Sequence, residues 1–558
     1  MKQKHYLYIT LQLLLIIISG FSNQVETLGK NEWRARSIYQ VLTDRIIIGR
    51  EPSCQNLKEY CGGTYKDLIA LLPHVKDLGF SALYISPIVE NTDQGYHGYW
   101  TKNFYTLNHN FGTEQELRQF IRQAHQMDIL VMVDVVFNHV GYVPQGNIFS
   151  GITPFNDPQY YHDWCEIQDQ DYQNGGNQER LERCRLSGLP DLKTESEEVK
   201  QLLYKWIKVD IIEKYGFDGI RIDTVRHVDK RFWQELNVVL KSIDTFAIGE
   251  VTSESISIQS QYQSQMHFDS MLDYPLYYTL QNVFYKRTAP LSVLKDQYIA
   301  HQTTFADASA LGLFSDNHDQ PRMFNQLLKW QGEKEDIPLA LNTLTFIFMS
   351  YGIPVLYYGT ESMLNGGGDP LNREPYDPSS GQPKFSSNPT DKTMSNYIRA
   401  LNKVRSDYQT YDFEPDFRLI ENSQGVMVFT KSDNVMVVIT NTPENMYQAF
   451  YLTNHPFKEK DKLCNAFSEW DCVVVDKEKR VKITIVEGHP KLYVKKNDQS
   501  PNEEQLYNRF GIFQNILTIL FFIILANIFY FSGLLEALGL NIHGHDGIPK
   551  NNNHFKHE

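Results

Sequence analysis

Three acidic side chains, Asp223, Glu250 and Asp319, each stand at or just after the end of a short apolar run of the sequence. Arg221 precedes Asp223 by two residues inside such a run. Because a buried charge is costly unless it is paired, the charged residues of this run are expected to belong to a functional site. Cleavage of a glycosidic bond needs one carboxylate as nucleophile and one carboxylic acid as proton donor. Taken singly, each residue is better explained as a helix cap or an ion-pair partner, so the prediction depends on their combination.

The elements that must position these residues alternate along the chain. Apolar runs at 82–88, 129–136, 217–223, 246–250, 311–317 and 352–359 are separated by helix-like segments at 65–78, 114–127, 197–215 and 230–242. This alternation predicts a parallel sheet that is covered on both faces. Polar residues recur where the runs end, which is typical of the catalytic rim of a (β/α)8 TIM barrel. A doubly wound sheet is the alternative, although no G-x-G-x-x-G motif follows the first strand.

Two further regions accompany the barrel, which we predict to span residues 31–405. Residues 138–196 are rich in Gly, Asn, Gln and Asp, and a connection of this length is expected to fold as a small inserted domain after strand 3. From 411 to 496 the sequence changes to short alternating segments. These segments predict a C-terminal antiparallel β domain.

Both ends of the chain carry apolar segments. Lys2 and Lys4 precede an apolar run and a small-x-small pattern, which predict a signal peptide at residues 1–22. A polar linker at 497–510 leads into an uncharged run, and we predict a transmembrane helix at 511–535 with a short polar tail at 536–558. The protein is therefore expected in the secretory pathway, at the cell surface, secreted or in the endolysosomal lumen, with its C-terminal segment as a membrane anchor.

Charge and cysteine content narrow the class of protein. The formal net charge of −14 argues against a nucleic-acid partner. The six cysteines allow many connectivities, of which pairing of chain neighbours is the simplest, and their spacing does not suit a metal–thiolate site. Neighbour pairing would join Cys54 with Cys61, Cys165 with Cys184 and Cys464 with Cys472.

Four segments of the chain resemble the signature segments of the α-amylase family, glycoside hydrolase family 13. They are DVVFNH, GIRIDTVRH, IGEV and FSDNHD, and they occur in the family's order, each at a predicted strand end. Flanking segments such as GYHGYW, GLPDLKT and GGGDPLNRE resemble the fungal-type secreted α-amylases. The resemblance covers roughly residues 37–495. It implies retaining hydrolysis of internal α-1,4-glucosidic bonds in starch, glycogen and related α-glucans.

The resemblance also implies a role for each motif residue. Asp223 would be the nucleophile, Glu250 the general acid/base and Asp319 the stabiliser of the transition state. The residues that it implies for binding the α-glucan are Tyr99, Trp100, His139, Arg221, Arg226, His227, His318, Asp369 and Arg373. The three histidines in this set are also of a type that binds zinc, but their spacing is not that of a zinc motif.

Calcium is the cofactor that the resemblance implies. Its ligands would be the side chains of Asn138 and Asp191 and the backbone carbonyls of Glu182 and His227. Oxygen donors of these kinds suit a hard cation. The ion would fasten the inserted domain to the edge of the cleft.

The chain departs from the family at a few positions, and alternative functions stay open. Asp316 stands where Glu is frequent and Arg226 where Lys is common, but all three catalytic carboxylates are present. A transglycosylase or maltogenic enzyme of the same family is one alternative. Another is a non-catalytic amylase-like membrane subunit, although such chains carry their membrane span before the barrel. We expect a monomer.

Overall fold

Eight parallel strands form a nearly closed barrel at the centre of the computed structural model. The structure describes residues 29–142, 149–173, 176–331, 337–380, 393–417, 425–442, 447–468 and 470–496. The barrel strands follow the order β8-β7-β6-β5-β2-β1-β10-β9, and a parallel bridge between Leu272 and Gly312 joins the two ends of this series. The predicted TIM barrel is therefore confirmed.

The described strands fall into the barrel, a hairpin and a C-terminal group. The barrel strands are β1 (Ile38–Val41), β2 (Ala82–Ile85), β5 (Leu130–Val135), β6 (Gly219–Ile222), β7 (Phe246–Gly249), β8 (Ser270–Met271), β9 (Gly312–Leu313) and β10 (Ile353–Tyr357). The hairpin consists of β3 (Val89–Asn91) and β4 (Thr101–Leu107). The C-terminal strands are β11 (Pro415–Asp416), β12 (Val426–Lys431), β13 (Val435–Thr440), β14 (Tyr447–Leu452), β15 (Lys462–Asn465), β16 (Cys472–Val474), β17 (Val481–Val486) and β18 (Lys491–Lys496).

The described helices cover the outside of the barrel, apart from one short helix in the long connection between β5 and β6. They are α1 (Lys30–Ala35), α2 (Tyr65–Asp77), α3 (Glu114–Gln126), α4 (Gln178–Arg183), α5 (Glu197–Lys205), α6 (Lys230–Ser242), α7 (Ile256–Ser264), α8 (Tyr274–Leu280), α9 (Ser292–Thr304), α10 (Met323–Gln331), α11 (Ile337–Met349) and α12 (Met394–Asp407). Two of them, α5 and α8, continue as π-helical segments, Trp206–Glu213 and Gln281–Tyr285. Thr64 and Thr113 begin α2 and α3 as the N-terminal residues of capping boxes, which explains why these helices start where they do.

Alternate residues of each barrel strand face the barrel interior. Tyr84, Met132, Ile248 and Val355 belong to one apolar cluster inside the barrel, whereas their strand neighbours pack into the larger core beneath the helices. Strand side chains alternate with a period of two, so every second residue continues the inner row. Both faces of these strands are buried, which explains their nearly continuous apolar sequence.

The chain between β5 and β6 leaves the barrel and returns. It contains α4, the short 3-10 turns Pro158–Tyr160 and Asp169–Tyr172, and the Cys165–Cys184 disulfide. An antiparallel bridge between His139 and Asp191 brings the two ends of this excursion together. The excursion lies where we predict the inserted domain of residues 138–196, and the exact bounds stay a prediction.

A C-terminal antiparallel sheet follows the barrel, as predicted. Its order is β11-β12-β13-β18-β15-β16, and β14 and β17 form a separate ribbon. Asn342 of α11 joins it to the barrel, because its amide nitrogen donates to Gly488 O (2.8 Å) and its oxygen accepts from Thr440 N (2.7 Å). Lys431 of β12 is buried at the same boundary and donates to Ser350 O at 2.5 Å.

The remaining sequence predictions have mixed outcomes. All three neighbour disulfides are present: Cys54–Cys61, Cys165–Cys184 and Cys464–Cys472. The predicted signal peptide at 1–22 and transmembrane helix at 511–535 lie outside the described residues. Within the described part of the chain, no helix is both long and apolar enough to cross a membrane.

Candidate active site

Arg221 connects two of the three predicted catalytic carboxylates. Asp223 follows β6 and Glu250 follows β7, and both occupy the inner row of their strands. One nitrogen of the Arg221 guanidinium lies 2.9 Å from Asp223 Oδ1, and the other lies 3.0 Å from Glu250 Oε2. Arg221 is fully buried, so it presents a fixed positive charge to two carboxylates on neighbouring strands.

A fourth carboxylate, Asp134, lies deeper in the barrel. Arg221 Nη1 lies 2.9 Å from Asp134 Oδ2, and the same oxygen accepts from the hydroxyls of Tyr84 (2.5 Å) and Tyr99 (2.7 Å). Asp134 continues the inner row of β5 two residues after Met132. These hydrogen bonds fix the orientation of the guanidinium and therefore of Asp223.

Burial raises the pKa of Asp223 well above its usual range. Arg221 opposes this shift, whereas the charges of Glu250, Asp134 and Asp319 reinforce it. The charge of Glu250 is one cause of this shift, so the two carboxylates lie close enough to influence each other electrostatically.

The backbone after Asp223 contributes a further contact to Glu250. Thr224 has a left-handed conformation with φ of 48°, which is uncommon for a β-branched residue. Its backbone N–H donates to Glu250 Oε2 at 3.1 Å. Strained backbone of this kind occurs preferentially at functional sites.

The other oxygen of Glu250 binds two hydroxyl groups. Tyr274 Oη and Thr252 Oγ1 each donate to Glu250 Oε1 at 3.2 Å. The Tyr274 oxygen in turn accepts from Asn317 Nδ2 at 3.1 Å. Both carboxylate oxygens of Glu250 thus have fixed donors, which defines the orientation of its side chain.

Asp319 lies across the site in a cluster of substrate-binding candidates. His318 Nε2 lies 3.1 Å from Asp319 Oδ2, and Arg373 Nη2 lies 3.3 Å from Oδ1. Arg373 also pairs with Asp369 at 3.0 Å. The side chain of Asp319 is 37% exposed, so it is open to a ligand from the solvent side.

The three histidines of the motifs are neutral. Burial lowers the pKa of His139 and of His227 to about 4. Burial also holds the pKa of His318 well below its usual range, and the cations of Arg221 and Arg373 add to the effect. Neutral imidazoles can donate hydrogen bonds to hydroxyl groups without adding charge to the site.

Aromatic rings line the edge of the same region. Tyr99 stacks on the His318 ring with centroids 5.2 Å apart, and Trp100 lies edge-on to Tyr142 at 4.9 Å. Arg226 is buried instead of reaching into open space, and its guanidinium lies 5.5 Å from the ring centre of Tyr172. The structure thus brings Tyr99 and His318 together and places Arg226 against the excursion.

Three oxygen atoms converge where we predict calcium. Asn138 Oδ1 lies 2.8 Å from His227 O and 3.2 Å from Asp191 Oδ1, with no hydrogen between them. A cation among the oxygens would satisfy this arrangement, and so would the reversed amide, whose nitrogen would donate to both. Burial raises the pKa of Asp191 to about 7, although His162 opposes the shift. Asp191 Oδ2 pairs with His162 Nδ1 at 2.7 Å, so Oδ1 is the oxygen that this carboxylate can offer to a cation.

Glu182, the fourth predicted ligand, has no described contact with these three oxygens. It lies in α4, and its side chain accepts from Gln178 Nε2 at 2.7 Å. Gln178 also donates to Arg226 O, so α4 packs next to the turn that contains His227. Among the described residues, no three His, Cys, Asp or Glu side chains form a metal-binding cluster. The predicted ligand set contains only one carboxylate and one amide side chain.

Sequence reasoning did not identify Asp134, Tyr84, Tyr274 or Tyr172 as site residues. Asp134 carried a usable signal, because it is a lone charge within the run ILVMVDVV and shares the inner row with Met132. Tyr84 stands on the inner row of β2. Tyr274 and Tyr172 carried none, because their contacts depend on how distant segments pack.

The chain is similar to α-amylases of known sequence and of known structure. The model described as "Alpha amylase, catalytic domain" matches residues 31–416. The chain is 32% identical to α-amylase 1 of Schwanniomyces occidentalis over 489 residues, which cover 83% of this chain and 90% of that protein. It is 30% identical to an α-amylase of Saccharomycopsis fibuligera over 482 residues, or 83% and 92% of the two chains. A solved α-amylase from Malbranchea cinnamomea matches with a TM-score of 0.73 at 32% identity, covering 84% of this chain and 97% of that one.

Proposed function

The chain belongs to the α-amylase family and is a glycoside hydrolase that cleaves bonds within α-glucans, and on this premise we propose that Asp223, Glu250 and Asp319 carry out the reaction. The observation that supports this most directly is the Arg221 guanidinium, which contacts Asp223 and Glu250 at 2.9 and 3.0 Å. Retaining glycosidases need two carboxyl groups about 5–5.5 Å apart, and a guanidinium that contacts both brings them together.

In the first step, Asp223 attacks the anomeric carbon while Glu250 protonates the departing glycosidic oxygen. Arg221 favours the ionised form of Asp223, which is the form that attacks. In the second step, Glu250 takes a proton from water, which displaces Asp223 from the sugar. The configuration at the anomeric carbon is retained because it is inverted twice.

Asp319 would stabilise the positive charge that develops on the sugar in both transition states. Arg373 and His318 hold its two oxygens, so the carboxylate does not need to reorient during the reaction. Tyr99 and Trp100 would contact the apolar face of the sugar ring, while His139, His227 and His318 would hydrogen-bond to its hydroxyls. Asp369 and Arg373 would bind the neighbouring glucose. Arg226, whose guanidinium lies against Tyr172, would bind the substrate on the leaving-group side of the scissile bond.

Calcium would be held by Asn138, Asp191 and the carbonyls of His227 and Glu182. Asn138 follows a barrel strand, Asp191 lies in the excursion and His227 follows the nucleophile, so one ion would connect three parts of the site. Its contribution would be to the stability of the cleft, not to the chemical step.

The chain would work in the secretory pathway as a monomer. Three disulfides support an oxidising compartment. The uncharged sequence at 511–535 supports an anchor in the membrane, with the catalytic domain outside the cytosol.

Starch digestion tests the assignment of roles. We expect iodine staining to fall faster than reducing ends appear, and NMR to show the α-anomer first. Asp223→Asn should lower kcat by roughly three orders of magnitude or more. Asp218→Asn is the matched control, because Asp218 stands at the opposite end of the same strand and binds His125 and Val131 N. Near-normal turnover in Asp223→Asn would contradict the assignment, and transfer products at low substrate concentration would favour a transglycosylase.

A further inference from the structure

Asp273 is fully buried, and three other parts of the chain hold its carboxylate. Its Oδ1 accepts from the backbone N–H of Leu276 in the first turn of α8 and from His301 Nε2 of α9, both at 2.9 Å. Its Oδ2 accepts from the hydroxyl of Tyr351 at 3.2 Å. The backbone N–H of Asp273 donates to Gly312 O at 2.8 Å, next to the bridge that closes the barrel. Asp273 therefore fixes the start of α8 against the barrel.

His301 is also fully buried, and the atoms around its ring define its charge. One ring nitrogen lies 2.9 Å from Asp273 Oδ1, and the other lies 2.7 Å from Gln297 O. Both neighbours are acceptors, so both nitrogens must carry a hydrogen, which only the charged imidazolium provides. Burial alone would lower the pKa of His301, but the charge and the hydrogen bond of Asp273 raise it above its usual value. The two side chains therefore form a buried ion pair.

The place of this ion pair in the chain connects it with the catalytic site. A buried ion pair is a weak source of stability, because apolar side chains of similar volume often stabilise a protein as well or better. Asp273 directly precedes Tyr274, which is the first residue of α8. Tyr274 is fully buried and packs edge-on to Phe314, with ring centres 5.0 Å apart. Its hydroxyl donates to Glu250 Oε1 at 3.2 Å, so the residue that follows the ion pair contacts the predicted acid/base.

We propose that His301 and Asp273 are positioning residues for Glu250 and act through Tyr274. The ion pair holds the first turn of α8, and with it the Tyr274 hydroxyl, at hydrogen-bonding distance from Glu250. Orientation matters here, because an error of about 1 Å in the place of a group that transfers a proton slows the reaction. The inference rests on the proposed function, since it assumes that Glu250 is the acid/base.

The test compares two substrates that differ in their need for an acid. A maltooligosaccharide needs a proton from Glu250 on its leaving oxygen, whereas α-maltosyl fluoride releases fluoride without one. For both substrates kcat/KM reports the steps up to formation of the glycosyl-enzyme. In the full chain, His301→Ala should lower kcat/KM on the maltooligosaccharide about fivefold and leave kcat/KM on α-maltosyl fluoride unchanged. His301→Gln should recover most of the loss, because its amide can still donate to Asp273.

His74→Ala is the matched control for the loss of a buried histidine–carboxylate pair. His74 Nε2 lies 2.9 Å from the buried Glu361, the same distance as in the pair of His301 with Asp273. Within the described residues, neither His74 nor Glu361 is hydrogen-bonded to Tyr274. His74→Ala should therefore lower Tm but leave the ratio of the two kcat/KM values unchanged.

A double variant tests whether the effect passes through the tyrosine hydroxyl. His301→Ala should lower kcat/KM on the maltooligosaccharide much less in a Tyr274→Phe background than in the parent, because the hydroxyl that the pair positions is already absent. Equal losses in the two backgrounds would overturn the inference. Equal losses on the two substrates would overturn it as well, because the pair would then be only structural.

Two further variants keep the outcome clear. If His301→Ala does not fold, Tyr351→Phe takes its place, because it removes only the hydroxyl that binds Asp273 Oδ2 and should give the same selective loss to a smaller extent. Glu250→Gln separates this inference from the proposed function: it should lose far more activity on the maltooligosaccharide than on the fluoride. If Glu250→Gln shows no such selectivity, the proposed role of Glu250 is wrong; if it does and His301→Ala and Tyr351→Phe do not, only the positioning role is wrong.

Discussion

Tyr274 connects the two halves of the catalytic site through one hydroxyl group. Its oxygen accepts from Asn317 Nδ2 at 3.1 Å, so its hydrogen points to Glu250 Oε1, 3.2 Å away. Asn317 Oδ1 also accepts from the backbone N–H of Asp319 at 2.9 Å. The orientation of Glu250 and the backbone that carries Asp319 therefore depend on the same buried tyrosine.

The first prediction concerns this hydroxyl. Tyr274→Phe keeps the ring and removes a donor that orients the Glu250 carboxylate. Loss of one such hydrogen bond costs roughly 0.5–1.5 kcal/mol, so kcat on starch should fall about two- to twelvefold. Thr252→Ala should lower kcat by a similar factor, because Thr252 donates to the same oxygen. An unchanged kcat in both variants would mean that these hydroxyls do not position Glu250 for catalysis.

The second prediction concerns the raised pKa of Asp223. The nucleophile must be ionised, so a raised pKa places the acid limb of activity above the usual aspartate range. Glu250→Gln removes one of the charges that raise this pKa, and the acid limb should then move to lower pH. A glycosyl fluoride substrate tests this, because its leaving group needs no acid, and fluoride release measures the rate. An acid limb at the same pH in both enzymes would contradict the coupling of the two carboxylates.

The third prediction concerns the three converging oxygens. A ligand that binds only the folded state stabilises it by mass action, so chelator should lower Tm and added calcium should restore it. Asp191→Asn should lower Tm and remove most of the response to chelator. Asp171→Asn is the control: it weakens a partly exposed pair with Arg180 in the same excursion, and should lower Tm while keeping the response. If chelator does not change the melting curve of the parent, no cation is bound. The Asn138 amide would then have the reversed orientation, with its nitrogen donating to His227 O and Asp191 Oδ1.

The fourth prediction concerns Lys431 at the boundary between barrel and C-terminal sheet. Burial lowers its pKa to about 7, Arg405 adds to this, and Glu414 opposes it. The unfolded chain therefore binds one more proton than the folded one between pH 7 and the usual lysine pKa, and stability should rise with pH in this window. Lys431→Met should have a larger free energy of unfolding than the parent at pH 6. This difference should shrink by roughly 1 kcal/mol per pH unit from pH 7 to 9. The free energy of unfolding of both proteins is measured in urea at each pH. A difference between them that stays the same from pH 6 to 9 would contradict the low pKa of Lys431.

The fifth prediction concerns the C-terminal apolar sequence. The full chain should stay with membranes through alkaline carbonate washing, because about 20 apolar residues are enough to span a bilayer. A chain that ends at Asp498 should be soluble and equally active. Release of the full chain by carbonate alone would exclude the anchor.

The sequence was sufficient for the parts of the fold that repeat. Six of the barrel strands were visible because both faces of a parallel strand are buried, which produces an apolar run. β8 was not, because it has only two residues, Ser270 and Met271. β1 was not recognised either, since its four residues include the polar Gln40, whose amide binds His318 Nδ1 at 2.9 Å inside the barrel.

The catalytic site, like the fold, could be predicted from the sequence only in part. Asp223, Glu250 and Asp319 stand in recognisable motifs, so their convergence could be predicted. The donors that orient them could not, because Tyr274 lies 24 residues after Glu250 in the chain and meets it only through the packing of α8. The contact of Arg226 with Tyr172 could not be predicted for the same reason, and the role of Arg226 in substrate binding stays a prediction.

The disulfide between Cys54 and Cys61 closes a small loop whose carbonyls at Leu57 and Glu59 accept from the buried Arg45. The Arg45 guanidinium lies 4.0 Å from the ring centre of Tyr96, and the Tyr96 hydroxyl accepts from Arg373, the partner of Asp319. The loop that this disulfide closes is therefore linked to the sugar cleft through Arg45, Tyr96 and Arg373, and a bond that lies outside the catalytic residues supports the partner of Asp319.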